Sequence, residues 1–133
     1  MREIFKISKD LIRAKDLYKT AKDRLYEIIP LFPKDKSYKI IEEYYEIMVQ
    51  LITSIMYSDG YKTLSHTGLI QYLATNYTEF SRNELNTIDI LRKLRHGIVY
   101  YGKQAEKEFL LNHEDSVKEL IDKLIKIIEF KIK

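Results

Sequence analysis

Cysteine is absent from this 133-residue chain, and with it go disulfides, thiolate catalysis and cysteine-rich zinc sites. Glycine and proline are scarce, four and two residues, while Ile, Leu and Tyr dominate the apolar content and charges of both signs are interspersed. That profile favours an all-helical soluble protein. A large surplus of one charge is also missing. The formal net charge of +3 is too small to argue for duplex DNA binding by bulk electrostatics, although a local phosphate contact stays open. No segment approaches the roughly 18 uninterrupted apolar residues of a membrane span. The start, Met1-Arg2-Glu3-Ile4-Phe5-Lys6, opens directly into a charged pattern, so the expectation is a cytoplasmic protein, neither secreted nor membrane-inserted. Glycine-rich phosphate loops, nucleophile elbows and paired-carboxylate signatures are lacking, and His66 and His113 have no partner at zinc-ligand spacing. Neither a metal nor a cofactor is expected, and both histidines read as structural or solvent-facing.

What is present is helical periodicity. The length allows one domain, residues 1–133, with three to five helices. Ile4, Ile7, Leu11, Ala14, Tyr18, Ala21, Leu25 and Ile28 alternate spacings of three and four, which predicts a long first helix ended by Pro30 and Pro33. A second helix is predicted from about Lys34 or Ser37 to Ser58. Its two apolar stripes, Tyr38, Ile41, Tyr45, Met48, Ile52, Ile55 and Ile40, Tyr44, Ile47, Leu51, imply burial on two sides. Asp59-Gly60-Tyr61-Lys62-Thr63 breaks the pattern as a turn.

A short helix from His66 to Asn76 follows the cap Ser65. Ser81-Arg82-Asn83-Glu84 then forms a capping box flanked by Phe80 and Leu85, which predicts a fourth helix running to the neighbourhood of Gly102. Asn112, with Asp115 three residues on, reads as the cap of a last helix. The predicted architecture is all-α: an antiparallel up-down bundle of four long helices plus one short one.

One segment disagrees with a purely structural helix. Ile88, Leu91 and Ile98 recur at helical spacing, and that spacing assigns the inward position between them to Arg95. A buried guanidinium needs an anion. Glu42, Glu43 or Glu46 of the second helix would serve, and so would a phosphate. Arg92, His96 and Tyr100 follow at steps of four and make a polar stripe beside Arg95, with Tyr101 next to it for base stacking. Gly97, costing about 1 kcal/mol against Ala in mid-helix, suggests that a ligand or another helix comes close.

Gly60-Tyr61-Lys62, Ser65-His66, Leu91-Arg92-Lys93-Leu94-Arg95-His96 and Tyr100-Tyr101-Gly102 together resemble the HEPN domain family of small helical proteins, over most of the chain from about Tyr38 onward. That family's sharpest motif is an Arg, a polar residue, and a His four to six residues beyond the Arg. Arg95 and His96 match its first two positions, and Tyr100 stands where the His is expected. The resemblance implies a symmetric dimer that brings two motif helices together, and an association with a minimal nucleotidyltransferase as a toxin and antitoxin pair. It also implies metal-independent RNA cleavage, in which a 2′-hydroxyl attacks the adjacent phosphate and the Arg steadies the developing charge. Tyrosine is a poor base at neutral pH.

The expectation is therefore a homodimeric HEPN-like domain that binds RNA or a nucleotide through Arg92, Arg95, His96, Tyr100 and Tyr101, with weakened or lost ribonuclease activity. Two alternatives stand beside it. One is an active endoribonuclease toxin using Arg95, His96 and Tyr100. The other is a non-enzymatic scaffold in which Arg95 is an ion-pair residue.

Overall fold

Helix boundaries follow the capping chemistry closely at some ends and depart from it at others. The structure is a computed structural model and describes residues 3–101 and 105–133, with the side chains of 98–101 outside the description. The elements are β1 (Ile4–Lys6), α1 (Leu11–Asp23), a π turn (Arg24–Ile28), a 3-10 turn (Ile29–Leu31), α2 (Ser37–Asp59), β2 (Tyr61–Thr63), α3 (His66–Asn76), α4 (Arg82–Tyr101) and α5 (Glu106–Lys131). Four long helices and one short helix are therefore present, as the periodicity predicts.

The first helix starts later than its apolar spacing suggests. Ile4 belongs to β1, which pairs antiparallel with β2 in the register Ile4 to Thr63 and Lys6 to Tyr61. Two apolar residues three apart cannot distinguish a helix start from an extended arm. Asp10 supplies the true boundary, its carboxylate accepting the Arg13 N–H at 3.0 Å. At the far end Pro30 has no N–H to donate and its ring crowds the preceding turn, so a regular α-helix cannot pass through it. The chain widens into the π turn and then tightens into the 3-10 turn.

Helix α2 is the central element. Ile41, Tyr44, Ile47, Met48, Leu51, Ile52, Ile55 and Met56 are all buried, on both apolar stripes. Burying each large apolar side chain stabilises the fold by about 1.5–3 kcal/mol. Cross-helix bonds give the directions. Ser54 Oγ donates to the Ala14 carbonyl at 2.6 Å while Arg24 meets Glu43, so α1 and α2 are antiparallel. Tyr44 bonds Glu114 and Asp59 bonds Lys131, so α5 runs parallel to α2. Glu84 near the start of α4 meets Lys123 well along α5, and Glu46 of α2 meets Arg95. The bundle is up-down, with α3 joining α2 to α4 at one end.

That end is tied together twice. Gly60 caps α2 at φ 90°, and a Cβ there would sit 3.0 Å from the Ile7 carbonyl oxygen. Only glycine suits that conformation and that approach. Asp59 then accepts from Tyr72 and Tyr77 at 2.6 Å each, and from Lys131 at 2.5 Å, fastening α3, the entry to α4 and the end of α5 to α2. Burial pushes the Asp59 carboxyl up, but the bonds from Lys131, Tyr72 and Tyr77 outweigh it and hold the group below its ordinary value.

The Ser65 cap and the Ser81 box form as predicted. Ser65 Oγ accepts the Gly68 N–H at 2.9 Å. Ser81 Oγ accepts the Glu84 N–H at 3.1 Å, and the Glu84 carboxylate returns the bond at 2.8 Å. The last helix begins at Glu106, six residues before the Asn112 cap expected from sequence. No Gly or Pro interrupts residues 105–112, Glu106 and Glu108 suit a first turn, and Phe109 and Leu110 pack on the core. Asn112 is an exposed position within that helix. Gly102, the predicted end of α4, lies outside the described residues. No helix among the described residues is long and apolar enough to cross a membrane.

Candidate functional site

Helix α4 buries Ile88 and Leu91 against the core, and the next inward turn carries Arg95. Its guanidinium reaches Glu46 of α2 at 3.7 Å, one of the three acids the sequence offers. The pair is loose: the two side chains are 38% and 34% exposed. An ion pair of this kind contributes about 0–1 kcal/mol. Glu43, a second of the three, is committed to Arg24 at 2.9 and 3.0 Å. Arg95 also lies with its Cζ 5.9 Å from the centre of the Tyr45 ring, and its Nε is buried with no hydrogen-bond partner among the described residues.

Tyr45 joins Arg95 to a residue that sequence reasoning set aside. The Tyr45 hydroxyl is 2.5 Å from His66 Nδ1, and the two rings stack with centres 5.5 Å apart. Burial pushes the Tyr45 phenol up to about 12, although Arg92 and Arg95 pull the other way. The phenol therefore keeps its proton at neutral pH. Its bond engages Nδ1 of His66, and His66 is otherwise exposed, so its second ring nitrogen, Nε2, can meet a ligand.

Arg92 lies on the same side, bonded through Nε to Asp89 at 2.9 Å, and Lys93 meets the other Asp89 oxygen at 3.2 Å. Burial raises the Asp89 carboxyl, yet the bonds from these two cations prevail and lower it.

His96 turns elsewhere. It lines a cleft of about 310 Å³ together with Ile90, Lys93, Leu94, Gly97, Ala105 and Glu106, facing the start of α5. Successive helical residues point about 100° apart, and the structure keeps Arg95 and His96 on separate faces accordingly. Gly97 is buried and lines that same cleft with Ala105 and Glu106. The side chains of Tyr100 and Tyr101 lie outside the described residues. His113 is exposed beside Phe109, in keeping with its structural reading. Among the described residues no group of three or more His, Asp or Glu side chains is placed to hold a metal.

The residues that converge are thus Arg95, Arg92, Tyr45 and His66. They offer a guanidinium, an aromatic face and an imidazole, which together can hold an anion beside a flat ring. The phenol holds its proton at neutral pH, and the carboxylate beside the guanidinium is that of Glu46. Sequence reasoning missed Tyr45 and His66 because their pairing spans 21 positions and requires α3 to dock on α2. The position of Tyr45 on the same stripe as Ile41 and Met48 was the available hint. No protein-family model, curated protein or solved structure matches this chain.

Proposed function

We propose that this chain is a HEPN-like protein that works as a homodimer and binds RNA or a nucleotide at the Arg95 face, with ribonuclease activity weakened or lost. The observation that carries the reading is the state of Arg95. Its guanidinium is tethered to Glu46 only at 3.7 Å, lies over Tyr45 and stands beside the Tyr45–His66 pair. A phosphate with its negative charge competes readily for a guanidinium held so loosely. Binding over cleavage is supported by the motif position expected to hold His, which is Tyr100, and by the Tyr45 phenol, which keeps its proton at neutral pH.

Titration of the protein with adenosine monophosphate and with a short single-stranded RNA tests the reading. The expected result is affinity that falls with salt, falls at least tenfold in Arg95→Ala, and rises in Glu46→Gln, where the competing carboxylate is gone. Wild-type protein should leave the RNA intact. If it cuts the RNA and Arg95→Ala does not, the active endoribonuclease reading replaces this one.

The Arg95–Glu46 pair also favours a second reading, a helical scaffold in which Arg95 only joins α4 to α2 and the dimer holds a partner such as a nucleotidyltransferase. Equal nucleotide affinity in wild type, Arg95→Ala and Glu46→Gln would select it.

A further inference from the structure

Round α2 from Arg95 lies a cleft of about 610 Å³ between the start of α2, the π and 3-10 turns, and the first half of α5. That size is in the range of about 300–1,000 Å³ typical of small-molecule sites. Its body is apolar, lined by Leu25, Ile29, Phe32, Ile40 and Leu110. Leu25 comes from the π turn, a departure from regular helix that recurs at functional sites.

Its polar features suit an anion. Ser37 lines the cleft, is only 6% exposed, and its hydroxyl has no hydrogen-bond partner among the described residues. Ser37 is also the first residue of α2, and that helix start carries neither a side-chain cap nor an acidic residue in its first turn. A long helix with an uncapped positive end favours an anion there. Lys34, Lys107 and Lys118 line the same cleft, and none of them makes an ion pair or hydrogen bond through its side chain among the described residues. The one carboxylate in the lining, Glu114, already accepts the Tyr44 hydroxyl at 2.6 Å.

We infer that this cleft binds an amphipathic anion: a hydrocarbon body against Leu25, Ile29, Phe32, Ile40 and Leu110, and a carboxylate or phosphate head at the Ser37 end, where Lys34 and Lys107 lie, with Lys118 about three helical turns further along α5. The inference is independent of the Arg95 reading. Arg95 meets α2 at Tyr45 and Glu46, one helical step round from Tyr44.

Dodecanoate and dodecyl phosphate, each titrated into the whole protein below its micelle-forming concentration and followed by calorimetry, test it and separate the two kinds of head. One-to-one binding of at least one is expected, weakened about tenfold in Ser37→Ala, the change that loss of one hydrogen bond to a charged group produces. The triple variant Lys34→Gln, Lys107→Gln, Lys118→Gln changes only exposed positions. It should keep the fold by circular dichroism and abolish the salt dependence of binding. Arg95→Ala should bind dodecanoate and dodecyl phosphate as wild type does, whatever its nucleotide affinity. Absence of binding by both anions overturns the inference. So does dodecanol binding equally well, which would mean that no head site exists, and so does inorganic phosphate alone binding as tightly, which would mean that the apolar walls contribute nothing.

Discussion

Tyr44 and Tyr45 are neighbours on one helix, both buried, and their hydroxyls meet opposite chemistry. Tyr44 faces α5 and donates to the carboxylate of Glu114 at 2.6 Å, and burial followed by that acid drives its phenol far above the ordinary value. Tyr45 faces α3 and α4 and hydrogen-bonds His66, and its phenol is also raised by burial, but two arginines restrain the shift to about 12. A rotation of about 100° separates an acid-facing position from a base-facing one. The comparison teaches that α2 divides the molecule electrostatically. Each hydroxyl takes its surroundings from the neighbouring helix that it meets.

The sharpest way to break this division is to remove the wedge. Tyr44→Ala should cost about 3–5 kcal/mol in denaturant unfolding, as expected for a large aromatic truncated in a closed core. Tyr44→Phe should cost about 1–2 kcal/mol, because Glu114 loses its donor while the volume is kept.

Asp59, at the end of the same helix, tests whether anchoring depends on charge. Its half-buried carboxylate accepts three bonds, so Asp59→Asn should cost about 2–3 kcal/mol at neutral pH, in the range for hydrogen bonds to a charged group. The sign follows from the lowered folded-state value. The stabilisation is fully present above the ordinary carboxylate range and is lost as pH falls through the depressed folded value. Unfolding curves of wild type and Asp59→Asn should therefore converge as the solution is acidified.

On the base-facing side the effects should be smaller. Tyr45→Phe removes the hydrogen bond to His66 and should cost about 1 kcal/mol. The same change frees Nδ1, which the chemical shifts of the His66 ring would register. Smallest of all, Arg95→Ala should change stability by no more than about 1 kcal/mol, since both partners of its ion pair are about one-third exposed. A loss of 3 kcal/mol or more would mean that Arg95 is a structural strut and would weaken the binding reading.

Much of the fold was legible where a local rule applied. Ser65 and Ser81 sit at helix starts because a short polar side chain can satisfy the free N–H groups two or three residues on, and that rule needs no tertiary context. The arm at Ile4 and the early start of α5 at Glu106 were not legible in the same way. A strand of three residues exists only because β2 is there to pair with it, and the start of α5 is set by the packing of Phe109 and Leu110 rather than by Asn112. The site divides likewise. A guanidinium on an apolar stripe called for an anion, either a phosphate or an acid of the second helix, and Glu46 was among the acids named. The Tyr45–His66 pair, and the unpartnered Ser37 in its cleft, depend on docking between segments far apart in sequence.

The chain by itself determined which residues are helical and which faces are apolar, because periodicity and caps act over one or two turns. Only the tertiary structure decided which partner each polar group meets. Those meetings depend on where separate helices come to rest, and helix–helix packing selects that position from contacts no single segment contains.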